Sequence, residues 1–194
     1  MANHFAIHSV GESLRRYLEN SYPPELRTSN SCAFRLVSSG ELADPSSFGT
    51  SLTLYLYRVT MNEHLRNTPW VNAPSDAMSP LAVDLHYLMT VWANNALAEH
   101  TILCWAMRQL YQRPVLDNSS LSPEAGWTTA DVIQLIPAEL SNEDVMRIWD
   151  AVDPPYHLSV SYIARVVRID ADVSDSSRPA VATRFSYMDR EVPA

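Results

Sequence analysis

Apolar residues recur at two periods along this chain, and the periods place its elements. Ile7, Val10, Leu14, Tyr17 and Leu18 follow three- and four-residue spacing, so they share one face of an opening helix that Pro23 and Pro24 must end. Residues 32–37 and 52–59 read as strands, the second with Leu52, Leu54 and Leu56 on one face and Thr53, Tyr55 and Tyr57 on the other. The stretch between them, 38–50, reads as loop. Residues 62–79 carry prolines that suit neither a paired strand nor a helix interior, so they read as a long exposed connection.

Residues 81–92 alternate throughout. Leu81, Val83, Leu85, Tyr87, Met89 and Val91 face one way, while Asp84, His86 and Thr90 face the other. Asn94 or Asn95 can cap the next helix, whose stripe is Leu103, Ala106, Met107 and Leu110 and whose end is Arg113-Pro114. A short strand over 132–136 stops at Pro137. The helix after it has Ser141 as N-cap, Asp144 reaching back, and Leu140 with Val145 as a hydrophobic staple. Its buried face is Val145, Ile148, Trp149 and Val152, and the Asp153-Pro154-Pro155 run stops it. A long strand over 158–169, apolar on both faces, reads as central in the sheet. Beyond Asp170 the periodicity ends. The sum is an α+β fold: a mixed β-sheet of about five strands with three helices packed on it, a domain over 1–170, and a C-terminal arm over 171–194.

Composition changes this picture mainly by exclusion. With 194 residues, 46% of them hydrophobic and 19% charged, the chain suits one folded, soluble domain. A net charge of -8 sets most of the surface against nucleic acid. All 14 basic residues are Arg, which removes Schiff-base, P-loop-lysine and Ser-x-x-Lys chemistry. The four glycines are too scattered for a phosphate-cradling loop. No signal-peptide pattern opens the chain and no stretch reaches the roughly 18 apolar residues of a membrane span. Cys32 and Cys104 sit in apolar-patterned segments, where buried reduced thiols are expected rather than a disulfide.

Candidate chemistry is sparse. Asp84 and His86 share a strand face with Cα atoms about 6.6 Å apart, which suits an acid-oriented histidine or two metal ligands, yet nothing in the pattern brings a third partner near them. A solvated or interface polar pair is the simpler reading. No GxSxG elbow or HExxH pair occurs, so no catalytic, cofactor or metal site is assigned. Trp92, Trp105 and Trp149 fall on regular elements at core-like spacing. Trp70 and Trp127 fall in loops, where packing and interface use are equally open. Arg165 and Arg168 on the last strand, with Arg178 and Arg184 in the arm, are a basic departure within an acidic chain: solvated charge is the simpler reading and docking on an acidic protein surface the functional one, with Phe185 and Tyr187 of the arm as further candidate interface residues.

Two segments carry a more specific signal: SPLAVDLHYLMTVWANNALAEHTILCWAMRQLYQRPVL from Ser79, and IPAELSNEDVMRIWDAVDPPYHLSVSYIARVVRID from Ile136. They resemble the amino-terminal domain of the cap, or tail-terminator, proteins of extracellular contractile injection systems, phage-tail-like particles such as the antifeeding prophage. The resemblance extends over the opening helix and the strand from Leu52, so it covers nearly everything before the arm. It implies a cytoplasmic, non-enzymatic structural protein that forms a hexameric ring on the end of the inner tube and sheath. That ring would terminate their polymerisation and hold the sheath extended. Many members carry a longer carboxy-terminal region. Either this chain finishes the particle alone, then, or it works beside a second, longer cap protein. An adaptor linking the particle to another cellular component is the alternative role.

Overall fold

The computed structural model describes residues 2–62 and 80–170. Its centre is a six-stranded mixed sheet in the order β1-β2-β3-β6-β5-β4, formed by β1 (Ala33–Val37), β2 (Ser51–Met61), β3 (Leu81–Trp92), β4 (Val115–Leu116), β5 (Ile133–Ala138) and β6 (Ser159–Ile169). β1 and β2 are parallel and every other pair is antiparallel. The central strands are the long alternating segment and the long segment apolar on both faces, and β3 pairs with β6 from Leu81 opposite Ile169 to Thr90 opposite Ser159. Both edges are short: β1 has five residues and β4 has two, which limits open backbone that could template unwanted pairing.

Helices cover one face fully and the other in part. α1 (Ala6–Ser21) and α4 (Ala96–Gln112) lie on the first face, where Val10, Leu14 and Leu18 meet Leu52, Leu54, Val83, Leu85, Tyr87, Met89 and Val91 in one core with Ile102 and Leu110. Tyr22, Phe34 and Trp105 close that core with edge-on ring pairs at 4.9 to 5.9 Å. α1 stops because Pro23 holds Tyr22 extended, and Pro24 then opens a short second helix, α2 (Pro24–Ser29), at the position where a missing N–H costs nothing. On the second face, α3 (Ser39–Ala43) and α5 (Asn142–Val152) enclose a smaller core of Val37, Leu42, Phe48, Leu88, Trp92, Trp149 and Val152. The caps are those the sequence marks. Asn95 Oδ1 accepts from Ala98 N–H at 2.8 Å, and Ser141 Oγ accepts from Asp144 N–H at 3.1 Å. Leu140 and Val145 both pack against this second core.

The differences from the sequence reading have local causes. Among the described residues there are six strands rather than five, because β4 is too short for alternation to show. Among the described residues five α-helices replace three, because α2 lies in a stretch to which the pattern assigned no element and α3 in the stretch read as loop; α3 is announced by a capping box between Ser38 and Glu41. β5 runs through Pro137, which is tolerated because Tyr162 of β6 lies opposite and β4 pairs only with the start of β5. Met107 is 39% exposed rather than buried, and Cys104 is exposed rather than a core thiol. The buried face of α4 is centred on Ala98, Ile102, Trp105 and Ala106, which turns Cys104 and Met107 outward. Cys32 is half-buried, and burial pushes its thiol up to about 12.

The two tryptophans of the smaller core make unequal demands. Trp92 donates its indole N–H to Thr53 Oγ1 at 3.0 Å, whereas the indole N–H of Trp149 is buried with no partner among the described residues. Each Trp→Phe change loses ring area, but the Trp149 change also removes an unsatisfied donor. Trp92→Phe is therefore expected to destabilise by about 1–2 kcal/mol more than Trp149→Phe, read from paired urea melts. Equal losses would mean that the Trp149 N–H is satisfied in solution.

Candidate assembly surfaces

Among the described residues no helix joins α3 and α5 on the second face of the sheet, and Arg165 and Arg168 lie on β6, outside the large core of the first face. Both are exposed, and neither has an ion pair among the described residues. Arg165 sits opposite Gln134 of β5 and Arg168 opposite Ala82 of β3. With Val115, Asp131, Val132 and Gln134 they line an open groove of about 400 Å³. Asp131, whose carboxylate accepts from the Thr128 backbone and hydroxyl at 2.7 and 2.8 Å, sets one negative charge against the two guanidinium charges that line the groove. The groove is thus cationic with two exposed valines at its rim.

A second surface runs along the outward side of α4. Leu97 is 78% exposed and Tyr111 81% exposed, with Cys104 and Met107 between them. Beside this ridge an apolar groove of about 720 Å³ opens against Pro137, Leu158, Val160 and Tyr162. Exposed apolar area this continuous marks a contact surface more often than a solvent face.

Trp127, for which the sequence left packing and interface use open, lies in the core at 9% exposure. Its indole N–H donates to Ser9 Oγ at 2.8 Å, and Ser9 in turn donates to the Ser122 carbonyl at 2.7 Å. The ring is occupied inside the chain because α1 offers two buried serines four residues apart, Ser9 and Ser13, as anchors for the 119–127 segment; sequence reading missed them because serines break an apolar stripe. Trp70, Arg178, Arg184, Phe185, Tyr187 and the rest of the arm over 171–194 lie outside the described residues.

Asp84 and His86 do share a face, but each turns to β2 rather than to the other. His86 Nε2 is 3.0 Å from Thr60 Oγ1, and the Asp84 carboxylate accepts from Asn62 Nδ2 at 3.1 and 3.2 Å. Burial, aided by the nearby Arg58 charge and opposed by Asp84, lowers the His86 pKa, so the ring is neutral near pH 7. Among the described residues no group of three His, Cys, Asp or Glu side chains could hold a metal ion, and no helix is long and apolar enough to cross a membrane.

The fold is that of contractile-particle terminators. Over 95% of the chain it matches the sheath/tube terminator of PVC, an extracellular contractile injection system, in the extended state, with a TM-score of 0.60 at 15% identity. Over 93% it matches the tube-terminating cap of the anti-feeding prophage, with a TM-score of 0.57 at 14% identity. The chain spans 64% and 59% of those two proteins, less than two thirds of either. A search of curated proteins gives no match. The sequence pattern of the Pvc16 N-terminal domain matches residues 9–183, and the chain belongs to that family.

Proposed function

We propose that this protein is a structural cap, the terminator of a contractile injection particle. The observation that carries the reading is the family match over residues 9–183, joined to a fold shared with two terminators across almost the whole chain. It works by shape: copies close into a ring, hexameric in the simplest case, on the last layer of tube and sheath, and the closed ring leaves no site for a further subunit. A ring of this kind uses heterologous contacts, so one patch of each copy must complement a different patch on its neighbour. The exposed ridge of α4 and the cationic groove at Arg165 and Arg168 are surfaces available for such contacts. The protein performs no catalysis in this role, assembles with the particle in the cytoplasm, and binds no nucleic acid or cofactor. The arm over 171–194 extends the reach of the 1–170 domain toward its partners.

The test is co-sedimentation of the purified chain with tubes of its own particle, joined to electron microscopy of particles made without it. Binding at tube ends, and particles of uncontrolled length or with prematurely contracted sheaths in its absence, are expected. Normal length and loading without the protein would overturn the reading.

A further inference from the structure

The groove at Arg165 and Arg168 has a counterpart on the same molecule. On α5 the residues Glu143, Met146 and Asp150 fall at i, i+3 and i+7, so they form one outward stripe opposite the buried Trp149 and Val152, and Asp153 follows directly at the helix C-cap. All four are exposed. Three are acidic, and one, Met146 at 46% exposure, is apolar. The one cation within α5 is Arg147, which is held by Glu143 one turn back. The groove offers the reverse: two guanidinium groups with no ion pair among the described residues, beside the exposed Val115 and Val132. Each patch pairs charge with an apolar knob or rim, and the signs are opposite.

Placement decides that the pairing joins two molecules. α5 is anchored through Trp149 and Val152 over Val37, Leu42, Phe48, Leu88 and Trp92, toward the β1 side of the sheet. The groove lies over β4, β5 and β6 at the other side. One chain therefore cannot lay its own stripe in its own groove, whereas a neighbour displaced across the sheet direction can. Net charge makes the same demand. Copies carrying -8 each repel at long range, so contact between them requires the acidic surface of one to meet cations of the next.

We infer that the α5 stripe of one copy docks in the Arg165/Arg168 groove of the next, Met146 entering between Val115 and Val132 while Glu143 and Asp150 meet the two arginines. The contact is head-to-tail, so its repetition generates a ring when the rotation closes. This rests on the terminator reading for its setting, but concerns only how copies of the chain meet.

Charge reversal tests it on the full chain. Sedimentation velocity at low salt is expected to show self-association that 0.5 M NaCl weakens. Arg165→Glu with Arg168→Glu, or Glu143→Arg with Asp150→Arg, should each weaken association at least tenfold. The two double variants mixed together should associate at least tenfold more tightly than either alone, because the reversed groove of one meets the reversed stripe of the other. Circular dichroism melts near the wild type exclude misfolding, since all four positions are exposed; if a reversal does unfold the chain, Arg165→Gln with Arg168→Gln replaces it and should still weaken association. A chain that stays monomeric at 100 μM, association indifferent to both reversals, or a mixture no tighter than its parts overturns the inference. If the arginine variant loses tube binding yet keeps self-association, the groove serves the tube and the self-contact is again overturned. Failure of the terminator reading is separate: it appears as a wild-type chain that ignores tube ends whatever its oligomeric state.

Discussion

Replacing Tyr87 with alanine is expected to cost about 3–5 kcal/mol, the range for deleting a large buried aromatic ring, out of a total stability of about 5–15 kcal/mol. Tyr87 is 1% exposed, lies mid-strand in β3, and pairs across to both Leu56 of β2 and Tyr162 of β6. Its ring fills the space below α1 where Gly11 allows helix and sheet to approach: a Cβ on Gly11 would stand 3.2 Å from the Tyr87 hydroxyl and 2.9 Å from both Leu36 methyls. Urea denaturation should show a large fall in midpoint, and a change in slope if the helix detaches. Tyr87→Phe should cost under about 1 kcal/mol, because the bond it removes, from the hydroxyl to the Ile7 carbonyl, is long at 3.4 Å. Burial raises the Tyr87 pKa well above its ordinary value. A raised phenol pKa contributes stability that is complete below the unfolded pKa of about 10 and fades as pH climbs toward the folded value, so Tyr87→Phe should soften the alkaline loss of stability.

The double change Ser9→Ala with Ser13→Ala is expected to cost about 3–4 kcal/mol, because it strands three buried polar groups at once. Ser9 Oγ receives the Trp127 indole N–H at 2.8 Å and donates to the Ser122 carbonyl at 2.7 Å, while Ser13 Oγ receives the Ser122 N–H at 2.7 Å. Both serines are fully buried on α1 beneath the loop that carries Ser122 and Trp127. The two single changes should sum to more than the double, since both release the same loop and the freed groups can then reach water together. Hydrogen exchange should show the loss concentrated at 119–127 with β3 still protected. Strict additivity with no local opening would mean that the serines do not act as one clamp.

How far the sequence could be read depends on the kind of signal. The paired strands β3 and β6, the Asn95 and Ser141 caps and the stop at Pro23 were legible because alternation, a run apolar on both faces, capping side chains and proline are properties of a few neighbouring residues. β4 was not, since two residues carry no period and become a strand only when β5 arrives beside them. Cys104 and Met107 were misplaced for a related reason. A helix built largely from apolar residues has no unique buried side until the sheet selects one, and here it selected Ile102, Trp105 and Ala106.

The same division holds for the surfaces. That Arg165 and Arg168 are a basic departure in an acidic chain, that Asp84 and His86 share a strand face, and that the family pattern runs through PLAVDLHYL and ARVV are all statements about residue type and spacing, which the chain carries before it folds. That Trp127 is a core residue, that Asp84 and His86 are taken up separately by Asn62 and Thr60, and that an acidic stripe on α5 lies across the sheet from a cationic groove were decided by which distant segments came together. Spacing along the chain sets the face of a single element. Which faces meet, and which are left open to a partner, depends on packing between elements far apart in sequence.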